Sequence, residues 1–95
     1  MAFQHTFTAD GQSDDFIAQG PLTIHQKGVY GSGSVVLQLR IPGGGTYDDL
    51  TDTAQTADND QEVLMNGQNV YRLDMSGSTT PSVVVTVMAE NIRKA

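Results

Sequence analysis

The sequence predicts an all-β fold: a single small antiparallel β-sandwich or barrel of about seven to eight strands, formed by one domain covering residues 1–95. Three observations point to it. Apolar and polar side chains alternate with a period of two in several runs, which places the apolar set on one face of a strand. Clusters of Gly, Pro, Asn, Asp and Ser separate those runs at short intervals. Only one short segment has a composition that could turn helically.

The first run, Phe3 to Ala9, puts Phe3, His5 and Phe7 on a common face. Gly11-Gln12-Ser13-Asp14-Asp15 reads as a turn, and so does Gly20-Pro21. A second strand follows from Leu22 to Lys27 through Leu22 and Ile24. Gly28 to Gly33 reads as a turn or bulge with Tyr30 packed across it. The clearest strand is Ser34 to Ile41, where Val35, Leu37, Leu39 and Ile41 face one way and Val36, Gln38 and Arg40 the other. Pro42-Gly43-Gly44-Gly45 then forms a hairpin connection to a short extended piece, Tyr47 to Thr51. Asp49 to Asp58 is too rich in Thr and Asp for a helix and reads as an exposed loop.

Val63 and Met65 mark a strand from Gln61 to Asn66. Asn66-Gly67-Gln68-Asn69 is a hairpin candidate, because Asn-Gly suits the tight turns whose twist matches antiparallel strands. Asn69 to Ser76 alternates Tyr71, Leu73 and Met75 against Arg72 and Asp74. The loop Ser76 to Ser82 joins the last two strands; Gly77 permits the bend, and Pro81 lacks a donor just where a strand begins, a position that tolerates it. In the final strand, Ser82 to Ala89, Val83, Val85 and Val87 oppose Val84, Thr86 and Met88. Both of its faces are apolar, so it is expected to be central or covered.

Ninety-five residues suffice for one core, burying roughly two thirds of the unfolded surface. Leu, Ile, Val and Phe supply 22 residues, above the level at which chains stay disordered. A strand-rich unit that closes its core only in an oligomer is the alternative architecture. Cys is absent, so neither disulfides nor thiolate metal sites supplement the core. The first residues lack the basic and apolar segments of a signal peptide, and no apolar run reaches the ~18 residues of a membrane span. A soluble protein of a reducing compartment is expected, without a membrane partner.

The net charge of −6, with Lys27, Arg40, Arg72, Arg93 and Lys94 scattered along the chain, argues against nucleic acid, whose phosphates require clustered cations. Asp48, Asp49, Asp52, Asp58, Asp60 and Glu62 form the densest group of carboxylates. Asp58 to Glu62 matches the start of a calcium loop, but Val63 stands where that motif needs glycine and Asn69 where it needs a bidentate glutamate. A solvated acidic loop is expected. His5 and His25 lie on separate strands with no carboxylate beside them in sequence and no nucleophile motif; His5 shares the Phe3 and Phe7 face, so a packed, hydrogen-bonded histidine is expected there rather than a catalytic or metal-bound one. Pro42 to Thr46 has glycines able to cradle an anion but lacks the lysine and following helix of a P-loop. Tyr30, Tyr47 and Tyr71 are candidates for a stacking platform, although Tyr71 alternates into the core. Neither catalytic residues nor cofactor or metal ligands are assigned.

Three stretches carry a resemblance: Phe3-x-x-x-Phe7-Thr8-Ala9-Asp10-Gly11; Gly31-x-Gly33-x-Val35-x-Leu37-Gln38; and Tyr71-Arg72-Leu73-x-x-Ser76-Gly77-Ser78-Thr79-x-Pro81-Ser82-Val83. In their order the chain resembles small β-sandwich virion proteins of tailed bacteriophages, including capsid decoration or cement proteins. That resemblance implies a non-enzymatic virion component, made in the host cytoplasm and bound in many copies to the major capsid protein or another virion protein, as a homo-oligomer. The chain departs from some cement proteins in lacking a long N-terminal arm, which leaves a tail, neck or fibre position as the alternative, with an adhesive or carbohydrate-binding role. Met1 to Phe7 and the segment from Val83 onward carry enough strand-forming residues to extend a neighbour's sheet.

Overall fold

The computed structural model describes residues 2–41, 43 and 45–95. Among the described residues eight strands form one antiparallel sheet: β1 (Ala2–Phe7), β2 (Gly11–Gln12), β3 (Phe16–Val29), β4 (Ser34–Arg40), β5 (Tyr47–Gln55), β6 (Asn59–Val63), β7 (Gln68–Ser76) and β8 (Ser82–Lys94). Their order is β1-β8-β3-β7-β4-β5, with β2 added to β7 and β6 added to β3. The all-β expectation and the strand number hold.

The sheet can enclose a core because β3 and β8 are long and pair with each other throughout, while β3 changes its second partner along its length. The first residues of β3, Phe16 to Gln19, pair with β7, while Leu22 to Gln26 pair with β6. The division falls at Gly20-Pro21, expected as a turn and found inside a strand. Gly20 has φ +72°, and the β3–β8 register shifts on either side of Gln19. On β8, Asn91 has φ +50° and donates from Nδ2 to Gln19 Oε1 at 3.1 Å, so both strands bend at one level. Bulges of this kind bend a strand and raise its twist while its pairing continues. A β3–β6–β8–β1 layer thereby faces a β7–β4–β5 layer.

Two other expectations change for the same reason. Asn66-Gly67 does not close a hairpin between β6 and β7. Both strands run along the same side of β3, and Gly67 O accepts from Gly20 N at 2.8 Å, so the Asn-Gly pair spans the bend. Gly11-Gln12 is not purely a turn, since it pairs with Met75 and Asp74 of β7. The β4–β5 connection does close a hairpin, with Ile41 N donating to Thr46 O at 2.9 Å. Pro42 and Gly44 of that connection, like Met1 at the start of the chain, lie outside the described residues.

The core holds the residues that alternation placed inward: Phe7, Leu22, Ile24, Val35, Leu37, Tyr71, Leu73, Met75, Val83, Val85 and Val87, joined by Phe16, Ala18, Tyr30 and Ile92. Phe16 lies at its centre, stacked on Phe3 at 4.4 Å and on Tyr71 at 5.7 Å between ring centroids. His5 shares this face and meets the edge of Phe7 at 4.4 Å, the packed histidine that the pattern implied. β8 is central, lying between β1 and β3.

Asp49 to Asp58 is mostly strand, contrary to expectation. β5 runs to Gln55 and pairs with β4, with a register shift between the Leu37–Leu50 and Val35–Gln55 pairs. Thr53 fills the gap that the shift creates. It is 4% exposed, its hydroxyl donates to Leu50 O at 2.6 Å, and Leu37 N donates to it at 2.8 Å. Thr53→Val keeps the shape but leaves the Leu37 N–H without a partner, so a loss of ~1–3 kcal/mol is expected in urea denaturation.

The Ser76–Ser82 loop has a mate. Thr79 N donates to Gly31 O at 2.9 Å, and Ser78 donates to Asp10 Oδ1 through its backbone N–H at 3.0 Å and through its hydroxyl. These donors hold the Asp10 carboxyl below its usual pKa. The loop therefore sits against the Gly31–Gly33 turn, where backbone approaches so closely that side chains are excluded. A Cβ on Gly31 would lie 2.1 Å from Thr79 O, and one on Gly33 2.6 Å from Ser78 Cβ. The hydroxyl-rich string clamps the β7–β8 connection onto Asp10 and the Gly31–Gly33 turn.

Candidate functional site

The outer face of the β1–β8–β3–β6 layer is ruled into rows by its register. Ala2, Met88, Thr23 and Glu62 make one row; Gln4, Thr86, His25 and Asp60 make the next; Thr6, Val84 and Lys27 make the third. Period-two alternation sends these residues outward because their neighbours Leu22, Ile24, Val83, Val85 and Val87 face the core. Two of the outward residues on β8 are apolar and substantially exposed, Val84 at 39% and Met88 at 41%.

The middle row is linked by hydrogen bonds at both ends. Gln4 Nε2 donates to Thr86 Oγ1 at 3.1 Å, and His25 Nδ1 donates to Asp60 Oδ1 at 2.6 Å. Both His25 and Asp60 are exposed, so this pair is worth little in stability. With Gln26, Lys27, Asp58, Asn59, Val84 and Thr86 they line an open cleft of about 900 Å³. Asp58 accepts from Gly28 N at 2.8 Å and so holds the end of β3.

A histidine beside a carboxylate is half of a general-base arrangement, but it still needs a nucleophile within reach. The neighbouring hydroxyl, Thr86, accepts from Gln4, and among the described residues no hydrogen bond joins it to His25. The cleft can present an imidazole, a cation, carboxylates and an apolar strand to another surface, which is a recognition chemistry.

The six carboxylates do not converge. Asp48, Asp49 and Asp52 belong to β5, whereas Asp60 and Glu62 alternate along β6. Among the described residues no group of three or more His, Cys, Asp or Glu is placed to hold a metal ion.

The tyrosines are also separated. Tyr71 is fully buried, and Tyr30 is 6% exposed with its hydroxyl donating to Gln26 Oε1 at 3.0 Å. Tyr47 lies on the outside of the other layer. Arg72 stands 3.7 Å from its ring centroid, and its hydroxyl donates to Asp15 Oδ2 at 2.6 Å. Arg72 Nε in turn donates to Gln38 Oε1, and Gln38 Nε2 to Asp49 Oδ1. This belt ties β5, β4 and β7 to the start of β3 and leaves no shared aromatic platform.

Burial, with the charge of Asp58 added, pushes the Tyr30 phenol up to about 12. Tyr47 is raised chiefly by its bond to Asp15, and Tyr71 by burial. In each case the folded state favours the neutral phenol. Its contribution is complete below the unfolded value of ~10 and is lost as pH climbs through the folded value. Stability is expected to fall between pH 10 and pH 12, with tyrosinate absorbance appearing at higher pH in the folded protein than in urea.

His25 lies on the outer face, opposite in alternation to the buried Leu22 and Ile24. Asp60 as its partner was not legible in the sequence, since nothing local announces a pairing between β3 and β6 across 35 positions.

No family model matches this chain, and no curated protein matches it. Among solved structures, a mitogen derived from Yersinia pseudotuberculosis is similar in fold, with a TM-score of 0.56 over 96% of this chain and 86% of that one, at 13% sequence identity. At that identity the likeness is one of architecture.

Proposed function

We propose that this chain is a non-enzymatic protein-binding module, and specifically a structural virion protein that decorates the head of a tailed bacteriophage and stabilises its shell. The observation that carries the binding reading is the outer face of the β1–β8–β3–β6 layer: a broad strand surface with Val84 and Met88 exposed at its centre and charged groups at its β6 side. Exposed apolar side chains within a polar surround suit a protein interface. The virion reading adds the resemblance of the three quoted stretches and the physics of a lattice, on which many copies multiply weak contacts. The charge of −6 suits docking on a basic protein surface.

Purified heads lacking decoration provide the test. Saturable binding is expected, and Val84→Asp is expected to weaken it roughly tenfold or more, the scale for a central interface residue, with an unchanged far-UV spectrum. A protein that ignores both heads and tails would remove the virion reading. The alternative, an adhesive or carbohydrate-binding module at a tail, neck or fibre, would be favoured instead by glycan-array binding that disappears in Tyr47→Ala.

A further inference from the structure

We propose that the free edge of β1 is a dimerisation edge, along which a second copy of this chain adds its own β1 antiparallel to the first and continues the sheet. The inference deepens the oligomeric part of the proposed function and does not depend on the virion.

Exposed strand edges invite pairing with other chains, and proteins blunt them with charge, shortness, bulges or proline. Among the described strands the other edges carry such devices. β5 bears Asp48, Asp49 and Asp52 and a register shift; β6 bears Asp60 and Glu62; β2 is two residues long. Among the described residues β1 pairs with β8 on one side only, over six consecutive residues without a register shift. From Ala2 to Phe7 it contains neither Asp, Glu, Lys nor Arg, and no proline. In a chain of net charge −6, an uncharged edge is where two copies meet with least repulsion.

The sequence of β1 also complements itself. Residues directly opposite in an antiparallel pair share a face, so a two-fold axis must pass through a residue position. With the axis at His5, Phe3 of one copy faces Phe7 of the other on the core side, and Gln4 faces Thr6 on the outer side. Aromatic pairs and polar pairs are the kinds that stabilise neighbouring strands. Gln4 uses its Nε2 on Thr86, which leaves Oε1 to accept from the Thr6 hydroxyl of the second copy. Phe3 and His5 point toward the core but are only half-buried, and a further strand would complete their cover.

Sedimentation equilibrium of the isolated protein tests this. The wild type is expected at twice the 10.2 kDa chain mass at ~100 μM. The double variant Q4K/T6K places like charges opposite each other twice across the seam and is expected to be monomeric with an unchanged far-UV spectrum. Q4E/T6E is expected to behave likewise, and mixing the two variants should restore the dimer mass, an outcome that loss of folding would not produce. A wild type that stays monomeric at that concentration, or a dimer that Q4K/T6K leaves intact, would overturn the proposal. A dimer that ignores phage heads would remove the virion reading alone; a monomer that binds heads would remove the edge alone.

Discussion

Gly28→Ala is expected to be the most damaging small substitution in the protein. Gly28 has φ +146°, a region closed to side-chain-bearing residues, and a Cβ there would lie 2.0 Å from Ser82 O and 2.9 Å from Val83 Cα. The obstacle is the backbone of β8, which pairs with Gly28 and cannot swing aside without breaking that pairing. Backbone strain alone costs about 1–3 kcal/mol, and displacement of β8 adds to it. A loss of at least ~3 kcal/mol lowers the unfolding midpoint of a domain this size by roughly 12 °C or more. Gly20→Ala is the control. Gly20 also has positive φ, but nothing lies within 4 Å of its Cβ position, so only the left-handed conformation is penalised, about 1–2 kcal/mol. Differential scanning fluorimetry of the two variants separates close approach from conformation; equal midpoints would show that the β3–β8 contact yields.

Phe16→Ala is expected to cost ~3–5 kcal/mol in urea denaturation, the range for emptying a large aromatic site. Phe16 is fully buried, with Phe3 on one side and Tyr71 on the other. Those rings come from β1 and β7, in different layers, so neither can follow the lost side chain without leaving its own strand. Phe16→Leu retains most of the volume and is expected to lose less than half as much. A small effect of Phe16→Ala would mean that the layers can close over the void.

Most strands and the core were legible because alternation is a local signal: Leu37, Tyr71, Leu73 and Val85 declare their faces within a few residues. The failures share a physical origin. Gly20-Pro21 and Asn66-Gly67 have turn chemistry, yet here that chemistry serves a bend shared by paired strands. β5 is held by backbone pairing to β4 and by the plug of Thr53 rather than by any apolar pattern of its own. Of the candidate site, the outward set on β3 and β8 could be read from alternation. The rows that join Gln4 to Thr86 and His25 to Asp60 could not, because register between distant strands is decided by the whole sheet.

The central position of β8 also constrains when the protein can fold. Among the described residues β1 has no other strand partner, and β3 acquires the neighbour on its second side from β8. Until residues 82–94 leave the ribosome, β1 is unpaired and β3, the longest of the described strands, is open along one side. Pairings between such distant segments form slowly, and unpaired edges are prone to aggregate meanwhile. A nascent chain stalled before Ser82 should therefore be protease-sensitive and bound by chaperones, and the compact state should arise after translation of β8 rather than strand by strand.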